Sequence, residues 1–213
     1  MRRVYYINTA LFVLCFGCAL ISFFYLDRPV ACFFHALHLN KVLPVINWMT
    51  HLVSSKFELA VLIGLVVFFH VIYPHTLMKD RCCFLFCCVF IPSLICLILK
   101  ILLGRARPEL LFSDHVYGFY GMSWHNPAYW SFPSGHTTTI VGFFFGMSFI
   151  VPRYKYLWCM LAVLFMTTRV LLMQHYVSDV VATTGLTLLE LFLMMHVMRR
   201  KGWFQLIALQ KAV

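Results

Sequence analysis

Six apolar stretches, each about as long as a bilayer is thick, constrain this chain more than any other feature. They lie at roughly 5–26, 57–78, 83–103, 133–151, 155–173 and 178–198, and a hydrocarbon core of ~30 Å is crossed by ~20 residues of helix. Of the 213 residues 62% are hydrophobic and only 11% charged, so the apolar surface has too few polar residues to cover it in water. Disorder, a coiled coil and a soluble helical enzyme are excluded on that ground. The expected fold is all-α, a polytopic membrane protein of six transmembrane helices forming a single domain over residues 1–213. The first stretch meets Asp27-Arg28-Pro29 without a small-x-small cleavage site, so it reads as a retained helix and not as a cleaved signal.

Between the first two stretches, residues 30–56 mix apolar side chains with His35, His38, Asn40, Lys41, Asn47 and His51, and Pro44 interrupts them. That pattern predicts a pair of short interfacial helices. A metal site from Cys32, His35, His38 and His51 would rest on spacing alone, and no metal is expected. Eight of the nine cysteines lie in or beside apolar runs and read as small buried hydrophobes. The 17 Lys and Arg against 7 Asp and Glu are scattered between the apolar runs. This favours anionic lipid head groups or a phosphorylated substrate over nucleic acid. Placing the N-terminus inside gathers Arg2, Arg3, Lys79, Arg81, Arg153, Lys155, Arg199, Arg200, Lys201 and Lys211 on one face, so both termini are expected in the cytoplasm.

Three polar clusters then fall on the opposite face. The first, KILLGRARP, separates Lys100 from Arg107 by seven positions, two helical turns if the helix continues, so both can point the same way. Alone, they read equally as a snorkelling lysine and a juxtamembrane anchor. The second, SFPSGHTTT, precedes an apolar run. Ser134 there suits a helix N-cap, Gly135 leaves the backbone N–H groups approachable to an anion, and His136 stands at the mouth. The third, TTRVLLMQHYVSD, places Asp179 one turn after His175 and His175 six after Arg169. Asp179 can accept the His175 ring N–H, fix its tautomer and leave the other nitrogen nucleophilic, and an interfacial histidine with a capping aspartate is the plainer alternative.

Together the three clusters resemble the type 2 phosphatidic acid phosphatase superfamily, whose signatures are K-x6-RP, PSGH and SR-x5-H-x3-D. Ten fixed positions match in order (Lys100, Arg107, Pro108, Pro133, Ser134, Gly135, His136, Arg169, His175, Asp179), a coincidence of roughly 10⁻¹³ per alignment at about one in twenty each. The departure is Thr168, where the family has Ser; a hydroxyl is kept. The resemblance implies a metal-independent phosphatase with no cofactor. In it Lys100, Arg107, Ser134, Gly135 and Arg169 bind phosphate, and His175 is the nucleophile that Asp179 stabilises. His136 protonates the leaving oxygen.

Other polar residues carry two readings each. The Tyr-, Trp- and Phe-rich loop 109–132 suits an interfacial belt or a lid over a lipid head group. Within or beside it, His115, His125 and Arg105 either extend head-group contacts or sit on the surface. Gly142 and Gly146 predict close packing inside the bundle or a dimer seam. Glu190, deep in the last apolar run, is expected to face the interior and be protonated or paired with His70 or His196, as a structural hydrogen bond or in transport or proton movement. The implied protein is a bacterial inner-membrane lipid phosphate phosphatase with its site on the extracytoplasmic, periplasmic face. Its substrate would be undecaprenyl diphosphate, phosphatidic acid, phosphatidylglycerol phosphate or the phosphates of lipid A. A lipid phosphotransferase and a non-enzymatic phospholipid transporter are the rival functions.

Overall fold

The computed structural model describes residues 2–37 and 55–202. Among them eight α-helices form: α1 (Arg2–Tyr25), α2 (Asp27–Ala36), α3 (Ser55–Val67), α4 (Thr76–Leu103), α5 (Pro108–Ser113), α6 (Gly135–Ile150), α7 (Lys155–Leu171) and α8 (Val177–Lys201). A π-helical turn, Phe68–Ile72, extends α3. No strand is present among the described residues, only isolated bridges from Arg105 to Phe119 and Trp130.

By length and apolarity α4 and α8 each suffice to cross a membrane, and residues 9–25 with α2 make a third candidate bent by 60°. The helices α6 and α7, with 16 and 17 residues, fall short of a full crossing on that measure, so among the described residues two spans qualify, or three where the bent pair counts as one. One reason is visible in α6: its cap Ser134 is fully buried, so the helix begins inside the bundle instead of at its rim. The loop expected near 79–82 is also absent. Instead α4 starts at Thr76, where the His75 side chain accepts the Met78 N–H at 3.3 Å, and the charges of Lys79, Asp80 and Arg81 ride on its opening turns. The expected interfacial pair is represented by α2; residues 38–54, with His38, Lys41 and His51, lie outside the described residues.

Polarity is inverted relative to a water-soluble bundle. Leu14, Phe24, Ile72, Leu94, Met160 and Leu164 are exposed, whereas Thr137, Thr138, Thr139, Thr183 and Thr187 are fully buried. Such a surface is stable only against lipid, and this is an integral membrane protein. Helix α6 lies centrally against α4, α7 and α8, while α1 packs along α8. Close approach depends on missing side chains: a Cβ on Gly142 would stand 2.3 Å from the Cys88 carbonyl oxygen, and one on Gly185 2.6 Å from the Cys15 Cβ. The GFFFG step is therefore a seam between α6 and α4, as small residues serve in membrane bundles. Phe84, Cys88, Val141, Leu191, Met194 and Met195 fill the core between α4, α6 and α8.

Candidate active site

The C-terminal ends of α4 and α7 and the N-terminal ends of α6 and α8 meet at one end of the bundle. The first contribution comes from α4. It stops at Gly104, whose φ of +51° lets its N–H close on the Lys100 carbonyl at 3.2 Å, a conformation that favours glycine at helix ends. The helix does not continue from Lys100 to Arg107, so the condition under which two turns would align the pair is not met. Arg105 to Arg107 leave the helix as extended chain, and Arg107 returns to Gln174 with a 2.8 Å hydrogen bond. Lys100 donates to the Trp130 carbonyl at 2.7 Å.

In α6 the Ser134 hydroxyl accepts from the Thr137 N–H at 3.4 Å, and the Ser134 N–H donates to Thr183 Oγ1 at 2.9 Å. Ser134 is therefore the N-cap, but its own amide is already engaged with α8. A Cβ on Gly135 would sit 3.6 Å from Lys100 Cε, so the missing side chain keeps space beside the lysine. His136 follows on the first turn and is half-buried.

The turn between α7 and α8 presents His175. The Arg169 carbonyl accepts both the Gln174 N–H (3.1 Å) and the His175 N–H (3.3 Å), and Met173 takes a left-handed φ of +53°. Such a backbone is costly for a side chain of this size. His175 is 3% exposed, and its Nδ1 lies 2.6 Å from the Ser131 carbonyl oxygen. A carbonyl only accepts, so Nδ1 carries the proton and Nε2 keeps its lone pair. Burial, then the neighbouring charges of Lys100, Arg107 and Arg169, hold the imidazole well below its ordinary range, against the opposing Ser131 carbonyl. The ring is therefore neutral. The Nε atoms of Arg107 and Arg169 are buried without hydrogen-bond partners, an arrangement suited to a bound oxyanion.

Asp179 departs from the expected geometry. Its Oδ2 is 3.9 Å from His175 Nδ1, beyond hydrogen-bond reach. It accepts from Ser131 Oγ (2.6 Å), from the Tyr176 N–H (2.9 Å) and from Arg105. These donors, and not the His175 ring, hold the carboxylate. Arg105 is neither a head-group contact nor a surface residue: it is 1% exposed and bridges Asp179 to Asp27. Burial works against its charge, but Asp179 and Asp27 outweigh that and raise its pKa. His115 and His125 are exposed on the loop. Glu190 is half-buried and near enough to Cys96 to act on it, and His70 is exposed on the π-helical turn. Sequence reasoning missed Asp27, Ser131 and Gln174. An acid where an apolar helix ends was the available signal for Asp27.

The model of the PAP2 superfamily matches residues 81–203. The chain belongs to the PAP2 superfamily. Two curated proteins named lipid A 1-phosphatase, from Rhizobium johnstonii and Rhizobium etli, are each 38% identical to it over 99 residues, 46% of this chain. The match spans 40% and 42% of the lengths of those relatives. The crystal structure of the first transmembrane PAP2 type phosphatidylglycerolphosphate phosphatase, from Bacillus subtilis, superposes with a TM-score of 0.64. It covers 91% of this chain and 96% of its own at 19% identity, a likeness of fold.

Proposed function

We propose that the chain is a lipid phosphate phosphatase that works through a phosphohistidine on His175. The observation carrying this reading is the neutral His175 ring, pinned at Nδ1 by the Ser131 carbonyl and ringed by Lys100, Arg107 and Arg169. The three cations, with the Gly135 N–H and the Ser134 hydroxyl, take the non-bridging phosphoryl oxygens. Nε2 of His175 attacks phosphorus as the P–O bond to the lipid breaks, and the departing oxygen takes a proton from His136. The positive charge that develops on the ring is stabilised through space by Asp179. Water then attacks the phosphohistidine, returns a proton to His136 and releases inorganic phosphate. Fixed cations do what a metal clamp does in other phosphoryl-transfer sites.

The substrate class is a membrane lipid bearing a phosphomonoester or diphosphate. The two Rhizobium relatives favour a phosphorylated glycolipid of the lipid A kind among the candidates. All six long apolar segments are read as crossings of a bacterial inner membrane. The basic residues Arg153, Lys155, Arg199, Arg200 and Lys201 sit at the far ends of α6, α7 and α8 from the site. Short basic loops stay cytoplasmic, which supports an extracytoplasmic site. The test is inorganic phosphate release by purified protein from a panel of lipid phosphates, with and without EDTA. Release that survives chelation is expected. Loss in EDTA restored by magnesium would refute the metal-free mechanism, and transfer to a lipid acceptor without release would make the protein a phosphotransferase.

A further inference from the structure

The residues matching the family model begin at 81, yet the candidate site draws a charged group from well before them. The chain bends by 60° between α1 and α2, and the first residue past the bend is Asp27, 1% exposed. Its Oδ1 accepts the Ser178 N–H at 2.9 Å, at the opening of α8, and its Oδ2 accepts from the Ser178 hydroxyl. Arg105 donates to the same Oδ2 at 2.6 Å through one terminal nitrogen and to Asp179 through the other, which also reaches Ser178 Oγ at 2.7 Å. The guanidinium is enclosed by the rings of Phe23, Tyr117, Phe119 and Tyr176, whose centroids lie 4.8 to 5.9 Å from Cζ. So enclosed, Arg105 cannot touch a substrate. Its main chain adds a second route to the histidine: the Arg105 carbonyl accepts the Ser131 N–H at 3.0 Å, and the Ser131 carbonyl in turn holds His175 Nδ1.

We propose that Asp27 and Arg105 act as one positioning clamp for His175, so that the helix pair α1–α2 is a working part of the active site. The proposal rests on the reading of His175 as the nucleophile. The clamp ties three pieces together at the level of the histidine: the α1–α2 bend, the extended segment after α4, and the start of α8 that follows His175. In-line attack tolerates little misplacement, and an error of about 1 Å can cost ~10²-fold in rate. Only arginine suits the role, since its planar fork reaches two carboxylates while its faces stack on rings, and lysine offers a single point charge.

The experiment is a double-mutant cycle on kcat and KM with one lipid phosphate, read beside the rate of phosphoenzyme formation and thermal stability in detergent. Asp27→Asn and Arg105→Lys should each slow phosphoenzyme formation by roughly 10- to 100-fold while KM stays within about threefold, because the phosphate-binding cations are untouched. The double variant should be no slower than the worse single one, since residues acting as a unit are not additive. Should Asp27→Asn fail to fold, Asp27→Glu keeps the charge but moves it by one methylene and should show the same split. Wild-type kcat in the folded variants, additive losses in the double, or a KM that rises as far as kcat falls would each overturn the clamp. Turnover retained in His175→Ala would instead overturn the underlying mechanism, whatever the clamp variants do.

Discussion

The ring of His175 is oriented by the main chain of Ser131, at 2.6 Å from Nδ1 to the carbonyl oxygen, while Asp179 stands off at 3.9 Å. A carbonyl cannot be removed by substituting its side chain. Ser131→Ala therefore deletes only the 2.6 Å bond from the hydroxyl to Asp179 and leaves the histidine tautomer fixed. One hydrogen bond to a charged group is worth ~1.5–3 kcal/mol, so kcat should fall by about 10- to 100-fold. Asp179→Asn, which also strips Arg105 of a carboxylate, should lose more. Both are measured against His175→Ala on the same substrate. A Ser131→Ala enzyme as dead as His175→Ala would show that the tautomer depends on the hydroxyl.

Gly104 sets the level at which the chain leaves α4. Its φ is +51°, and a Cβ there would stand 1.8 Å from the Gly121 carbonyl oxygen. The αL backbone alone costs an alanine ~1–2 kcal/mol, and relieving the overlap must displace the loop whose Tyr120 and Ser123 N–H groups bond to Gly104 and Ile101. Gly104→Ala should lower the thermal midpoint in detergent by several degrees, on the order of the shift expected for a few kcal/mol. The same change at Gly17, which has nothing within 4 Å, should be close to neutral. Equal effects at the two glycines would contradict the packing described.

The helical class and the three polar clusters were legible because both are written locally, in apolar runs of bilayer length and in short fixed spacings. Ser134 as a cap follows from the residues alone, and so does the meeting of Gly142 with another helix. Helical alignment of Lys100 and Arg107 depended on the helix continuing, and it ends between them at Gly104. What could not be read was long-range. Asp27 meets Ser178 across 151 residues and Arg105 across 78, and nothing near Asp27 in the chain announces those partners. Asp179 was assigned to His175 because they lie one turn apart, but Arg105, Ser131 and Tyr176 compete for the same carboxylate and hold it.

His175 links stability to pH with a definite sign. Burial and three cations depress its folded-state pKa well below the ordinary value, whereas the unfolded chain binds a proton at ~6.5. The unfolded state therefore takes up the proton first as pH falls. The stabilisation is fully present above about pH 6.5 and is lost at up to ~1.4 kcal/mol per pH unit below it. Thermal midpoints of wild type and His175→Asn, compared from pH 7.5 to 5, should show a shallower fall in the variant, which has no ring to protonate. Parallel curves would mean that the histidine takes up its proton alike in the folded and the unfolded chain, and that its folded-state pKa is not depressed.

The two histidines separate by the chemistry each must perform. If His175 is the nucleophile, His175→Ala removes the covalent route and abolishes turnover for every phosphate ester, whatever its leaving group. His136 stands on the first turn of α6, and the proposed mechanism gives it the protonation of the departing oxygen. An aliphatic lipid alkoxide needs that proton, and an aryl oxide or a departing phosphate needs it far less. General acid catalysis contributes ~10²- to 10⁴-fold, so His136→Ala should lose about that much on an aliphatic monophosphate and much less on an activated aryl phosphate. With the activated substrate an acid-labile phosphoenzyme should still be trapped in His136→Ala by rapid quench, and none should form in His175→Ala. Label retained in His175→Ala and absent from His136→Ala would exchange the two roles.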